Sequence, residues 1–333
     1  MKNVHDRFDA FARTNALVLG DVMLDAYLWG RVDRISPEAP VPVVHVQERS
    51  ARLGGAANVA LNLRALGATP VVMTVVGEDE HAARLDQLFG GLGLPAEGLL
   101  RSAHRRTTVK TRVISGHQHI VRVDEEDDHV LTDGDSERLL EAVKARVRSA
   151  RPGVIVFEDY DKGVLSPPFI REVVRLAQAE GIPTAVDPKK RNFMAYQGVD
   201  LFKPNLKELR EGLRMEVHAS DAGQLRRAVK ALENALGNRL TLVTLSEHGV
   251  LVHGGVEDHL IPAHVRTIAD VSGAGDTVIA VAALLLAQQA PARTMAAWAN
   301  LAGGLVCEQV GVVPIDRDLL LAECLALPEA DRA

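Results

Sequence analysis

Two cysteines, Cys307 and Cys324, are all that 333 residues contain, and they show no metal-type spacing. That excludes a disulfide-stapled framework and a thiolate metal site, and it makes free thiols in a reducing cytoplasm the default. The twelve histidines are scattered, with no HExxH among them. Positive charge is not in excess either: 38 Lys and Arg face 44 Asp and Glu, for a net −6. No overall basic field recruits nucleic acid, and the basic cluster at 101–112 is too short to reverse that. Long apolar runs are missing. The most apolar stretch, 278–290, falls short of the ~20 residues that span a membrane and is interrupted by Gln288 and Gln289. The opening MKNVHDRFDAFART has no apolar run of signal length. Two nucleotide motifs are absent as well. There is no GxxxxGK[ST], and Gly20-Asp-Val-Met-Leu-Asp25 stands where a GxGxxG would follow the first strand. A P-loop NTPase and a dinucleotide oxidoreductase are therefore set aside.

What remains has the composition of a soluble enzyme, 47% hydrophobic and 25% charged. Short, almost continuously apolar runs at 16–22, 70–77, 153–158, 183–187 and 240–245 read as strands covered on both faces. Between them, 56–66, 136–149, 167–180 and 221–236 have helical spacing. Ser166-Pro167 is a helix start, and Gly67, Gly181 and Gly237 each follow a helix. The alternation implies a doubly wound, mainly parallel α/β sheet. Two segments, 27–48 and 107–124, read as strands without helices between them. They predict a small β-sheet lid over the strand C-terminal ends, within one domain running from 1 to 333.

The most informative segment is Asp270-Val-Ser-Gly-Ala-Gly-Asp276-Thr277, a glycine loop entering an apolar helix. Orphan N–H groups and the helix dipole at such a junction attract an anion, and Gly273, Ala274 and Gly275 let it approach. Asp276, in the first turn, is placed to take a proton from a hydroxyl attacking a phosphate. The plain alternative is a glycine-rich turn with an acidic helix start. Gly54-Gly55-Ala-Ala-Asn58 opens another helix, where Asn58 can meet hydroxyls or the glycines can serve packing. Asn205 and Glu208 lie three apart, as a pair for hydrated Mg²⁺ or as a helix cap and its capping partner. Asp187-Pro-Lys189-Lys-Arg191 ends a strand, either gripping a phosphate or lying solvated. Ser246-Glu247-His-Gly249 is a turn where a nucleotide base can rest.

In this order the segments resemble the ribokinase-like, or PfkB, family of carbohydrate kinases over about residues 13–320. The early GG-x-x-N, the N-x-x-E and the late D-x-x-GAGD carry the resemblance. Within the family the chain looks most like the D-glycero-β-D-manno-heptose-7-phosphate kinases of lipopolysaccharide synthesis. Gly20–Asp25, the segment ISPEAPVPVV from Ile35, Glu158-Asp-Tyr-Asp-Lys-Gly163 and Asp187-Pro-Lys189 carry that narrower match. The resemblance implies that Asp276 is the base and that the backbone of Gly273, Ala274 and Gly275 forms the anion hole. Asn205 and Glu208 would organise Mg²⁺ and ATP. Ser246, Glu247, Gly249 and Asn300 would border the adenosine. Asp25, Gly54, Gly55 and Asn58 would read sugar hydroxyls, with Asp21 an additional acid. Asp270 and the 310–313 stretch match a potassium-binding loop. Lys110, Arg112, Lys162 and Lys189 are the candidates for a remote sugar phosphate. Ser272 stands where Thr is commoner. The implied partners are a sugar phosphate, ATP and a second copy of the chain joined through the lid. Many such kinases are fused to an adenylyltransferase; no HxGH signature occurs here, and only the kinase half is expected. A PfkB kinase for another sugar, or a non-catalytic binder of the same fold, are the alternatives.

Overall fold

A computed structural model describes residues 3–116, 118–254, 257–264 and 266–332. Its strands are β1 (Asn15–Gly20), β2 (Val22–Ile35), β3 (Pro42–Gly55), β4 (Thr69–Gly77), β5 (Leu99–Ser102), β6 (Thr108–Ser115), β7 (Gln118–Glu125), β8 (Val154–Glu158), β9 (Thr184–Asp187), β10 (Leu201–Phe202), β11 (Leu240–Thr244), β12 (Val250–Gly254) and β13 (Glu257–Ile261). Nine form one sheet in the order β13-β12-β11-β10-β9-β8-β1-β4-β5. It is parallel from β5 to β11, and β12 and β13 add antiparallel at one edge.

The expected doubly wound core follows from the pleat. In β1, Ala16 and Val18 point to one face, into a layer with helices Ala56–Ala65, Ala274–Ala287 and Ala292–Val306. Leu17 and Leu19 point to the other, into a layer with Asp133–Ala150, Pro167–Glu180 and Ala222–Leu236. Both faces are covered, which is why these strands read as unbroken apolar runs. Ala274–Ala287 is buried continuously from Asp276 to Leu286, as its apolar sequence predicts.

The small sheet has the order β3-β2-β6-β7. The lid strands are longer than 27–48 suggests. β2 and β3 form one antiparallel hairpin whose register runs from Val22 opposite Gly55 to Ile35 opposite Pro42. Their inner ends are buried on both faces, which hides the alternation that marks their outer halves. The hairpin therefore starts at the end of β1 and returns straight into the helix Ala56–Ala65. That connection puts Asp25 and Gly54 at the lid's root.

Candidate active site

The loop before Asp276 turns as its glycines allow. Gly273 is the N-cap at φ 81°, the left-handed region where a side chain is strained. A Cβ there would also stand 2.9 Å from Asn58 Nδ2. Asp276 lies in the first turn, and both its oxygens are held. Asn58 Nδ2 donates to Oδ2 at 2.6 Å, and the Tyr160 hydroxyl donates to Oδ1 at 2.9 Å. Burial, with Asp187 nearby, lifts this carboxyl to about 6, while the two donors and Lys203 oppose the rise. Thr277 Oγ1 donates to Asn62 Oδ1, which also accepts from the Ile315 N–H, so the helix start is tied to Ala56–Ala65.

Three buried carboxylates converge here. Glu158, Asp187 and Asp276 end β8, end β9 and begin the helix, with oxygens within 4.8 Å of one another. Asp187 Oδ2 pairs with Lys203 Nζ at 2.7 Å, and Oδ1 lies 3.6 Å from Lys189 Nζ. Burial works to raise Asp187, but the two lysines outweigh it and hold the group ionised. Neither side-chain oxygen of Glu158 finds a hydrogen-bond partner among the described residues. Burial first, then Asp187 and Asp276, push it well above its ordinary value. With Asp187 already matched by two lysines, the group is poorly suited to cage a cation. Lys203 Nζ lies 3.6 Å from where a Cβ on Gly275 would be, so a positive charge stands beside the helix N-terminus.

Asn205 and Glu208 form a reciprocal capping box. Asn205 Oδ1 accepts from the Glu208 N–H, and Glu208 Oε2 accepts from the Asn205 N–H, each at 2.8 Å. The second Glu208 oxygen pairs with Lys189 at 3.0 Å. A hydrated Mg²⁺ can reach Glu208 only at that second oxygen, sharing it with Lys189; hard carboxylate oxygen suits the ion. Ser246 and Glu247 are exposed in a one-turn 3₁₀ helix closed by Gly249. Asn300 Nδ2 donates to the Pro262 carbonyl at 2.8 Å. Asp270 accepts the N–H groups of Ser272 and Gly311, both at 2.9 Å. Arg52 Nη1 donates to the carbonyls of Val310 and Val312. A potassium ion drawing on those carbonyls would have to displace a guanidinium, so this loop as it stands does not fit one.

On the lid side, Asp25 is paired with Arg112. A Cβ on Gly54 would lie 2.3 Å from Asp25 Oδ2, and Gly55 turns at φ 61° into the helix. Lys110 contacts Glu126 at 2.7 Å and Asp124 at 3.2 Å, and Lys162 reaches the same Glu126 at 2.7 Å. Two of the expected roles change. Asp21 is committed to the backbone. It is buried and accepts the backbone N–H groups of Tyr160, Lys162 and Val164 at 2.9, 3.1 and 3.1 Å, so its lone pairs hold a loop. Lys189 is among the carboxylates beside Asp276, its ammonium 5.1 Å over the Tyr160 ring, and not with Lys110 and Lys162. Tyr160, Glu158 and Lys203 have no role in the sequence reading. Only their positions after strands mark them, and the motif from Glu158 to Gly163 contains two of the three.

The family model for pfkB family carbohydrate kinases matches residues 13–317. The chain is 46% identical over 305 residues to the bifunctional protein HldE of Caulobacter vibrioides, covering 91% of this chain and 62% of that protein. To HldE of Methylobacillus flagellatus it is 40% identical over 317 residues, covering 95% and 64%. The chain thus spans a little under two thirds of the length of these relatives. Among solved structures, Escherichia coli phosphofructokinase-2 in complex with potassium superposes with a TM-score of 0.76 at 20% identity, over 93% of this chain and 99% of that one. Arabidopsis thaliana ribokinase complexed with ribose and ATP gives 0.72 at 18%, over 92% and 98%. These likenesses show a ribokinase-like fold. The family match runs from before Asn58 to beyond Asp276 and takes in every segment described above, and the chain belongs to the pfkB family of ATP-dependent carbohydrate kinases.

Proposed function

We propose that the protein transfers the γ-phosphoryl of ATP to the anomeric hydroxyl of D-glycero-β-D-manno-heptose 7-phosphate, giving the 1,7-bisphosphate in ADP-heptose and lipopolysaccharide core synthesis. The observation that carries the transfer is Asp276, fixed by Asn58 and Tyr160 at the mouth of a helix N-terminus. Asp276 takes the hydroxyl proton as the oxygen attacks phosphorus, and the ADP oxygen leaves with the bond electrons. The orphan N–H groups at the helix start, with Lys203 beside Gly275, meet the charge that builds on the transferred group. Mg²⁺ bound through water near Asn205 and Glu208 would neutralise the ATP phosphates. Ser246, Glu247, Gly249 and Asn300 border the adenosine in this reading, and Asp25, Gly54 and Gly55 shape the sugar floor.

The heptose assignment is supported by the motifs shared with those kinases and by the lid-side cations. Lys110, Arg112 and Lys162 are each held by a carboxylate at the lid's root, a supply of charge that a remote phosphate would draw on by displacing Glu126 or Asp25. The reading puts the protein in the cytoplasm with ATP; among the described residues no helix is long and apolar enough to cross a membrane. A sugar panel tests it. Heptose 7-phosphate should be turned over with kcat/KM at least ~10²-fold above ribose or fructose 6-phosphate. Efficient turnover of one of those, and none of the heptose phosphate, would replace the substrate and leave the kinase.

A further inference from the structure

The path that fixes Tyr160 runs through the whole loop after β8. Asp21 gathers the N–H groups of residues 160, 162 and 164. Beside it, Asp159 accepts from the Asp161 N–H at 2.9 Å, Asn192 Nδ2 at 3.1 Å and the Tyr196 hydroxyl at 2.6 Å. Two adjacent acids thus nail the loop to the sheet and to the segment after β9. From this anchored backbone the Tyr160 side chain reaches forward, under the Lys189 ammonium, to Asp276 Oδ1. Asn58 holds Oδ2 from another element.

We propose that Tyr160 is the positioning residue of the base, and that Asp21, through the loop backbone it holds, sets Tyr160. The inference rests on Asp276 being the base. With one donor on each oxygen, the carboxylate plane has a single orientation, and the remaining lone pairs are left for a substrate hydroxyl. The phenol also favours the ionised form of Asp276, the form that accepts a proton. The other groups facing Asp276 are Glu158 from β8, Asp187 from β9 and Lys203 after β10. Burial holds Glu158 well above its ordinary value, and Asp187 is matched by Lys203 and by Lys189, which lies over the Tyr160 ring. Removing the phenol therefore changes the base's surroundings without removing a charge, and its effect can be read separately from theirs.

The test is the pH dependence of kcat/KM, followed from roughly pH 5 to 9, for Tyr160→Phe and Asp21→Asn. Loss of the phenol should move the acidic limb upward by about half to one unit, because water replaces part of the lost bond. The plateau kcat should fall ~3- to 10-fold with KM for ATP unchanged. Asp21→Asn should move the limb the same way, although residue 21 does not touch Asp276. A purely structural role scales the plateau in proportion to folded enzyme and leaves the limb where it was. An unmoved limb in Tyr160→Phe overturns the proposal. A limb that moves in Tyr160→Phe but not in folded Asp21→Asn overturns the Asp21 half; if that variant does not fold, Asp21→Glu, which keeps the charge and displaces the acceptor oxygens, is read by the same limb and an unmoved limb in it overturns that half. Failure of the base reading shows elsewhere, as near wild-type turnover in Asp276→Asn.

Discussion

At the scale of single residues, the chemistry turns on a carboxylate whose burial is incompletely offset. Asp276 stands at about 6 because burial disfavours its charge more than its donors favour it. Its folded value is raised, so the ionised, base-competent form appears only as pH rises through that value. The acidic limb of kcat/KM should accordingly lie near pH 6, about two units above an exposed aspartate. Asp276→Asn should lower kcat by ~10²-fold or more with ATP and sugar binding nearly intact. Turnover near wild type in a steady-state assay would remove Asp276 from the role. The cations divide by neighbourhood. Lys110→Ala should raise KM for heptose 7-phosphate by ~10-fold, as loss of a charge-assisted hydrogen bond worth ~1.5–3 kcal/mol does, and leave KM for ATP alone. Lys189→Ala should impair phosphorylated and unphosphorylated sugars equally, because Lys189 faces Glu208 and Asp187. A KM effect of Lys189→Ala confined to the phosphorylated sugar would return it to the remote-phosphate group.

Among the elements, the sequence is most legible where one force dominates. The expected run at 153–158 is β8 at Val154–Glu158, and Pro167–Glu180 begins where Ser166 caps it, because burial on two faces and cap chemistry both write themselves locally. Short β10 is found only by its pairing with β9 and β11, and the edge strands by β12 pairing on β11 and β13 on β12, which no local pattern announces. The same limit explains Asp21. An acid just after a strand looks alike in sequence whether it meets a ligand or three backbone N–H groups. It also explains Glu158, which is pushed above its ordinary value by burial and then by neighbours 29 and 118 residues further along the chain, Asp187 and Asp276 (187 − 158 and 276 − 158). For Asn205 and Glu208 the cap and the metal readings are compatible, since one carboxylate oxygen closes the capping box and the other does not. Glu208→Gln keeps an acceptor for the cap while deleting the charge. It should raise the Mg²⁺ concentration for half-maximal rate several-fold, with a stability change below about 1 kcal/mol. An unchanged Mg²⁺ titration would leave Glu208 with capping alone.

At the scale of the molecule, the lid sheet has two unlike faces. Register and pleat put Asp25, Lys110 and Asp124 in one row across β2, β6 and β7, and Tyr27, Arg112 and Arg122 in the next. The opposite face carries Ala51, Ala26, Thr111 and Val123 in one row, and Leu28, Val113 and Val121 in another. The polar face carries the Asp25–Arg112 pair. The apolar face packs on the body near its root, where Leu24, Leu53 and Val109 are buried, but further out Val121 and Val123 are 50% and 48% exposed. A sheet whose apolar face is left bare in its outer half, with β3 and β7 as its edges among the described residues, invites association. A second copy is the partner that presents the same face, and a two-fold axis would let the two sheets cover each other. We therefore expect a homodimer of about 72 kDa, twice the 35.9 kDa chain, when light scattering is measured at micromolar concentration. Val121→Glu combined with Val123→Glu should yield folded monomers, since both side chains stand clear of the core. Particles of only single-chain mass from the unmodified protein would overturn the dimer. A dimer that survives the double substitution would move the interface off this face.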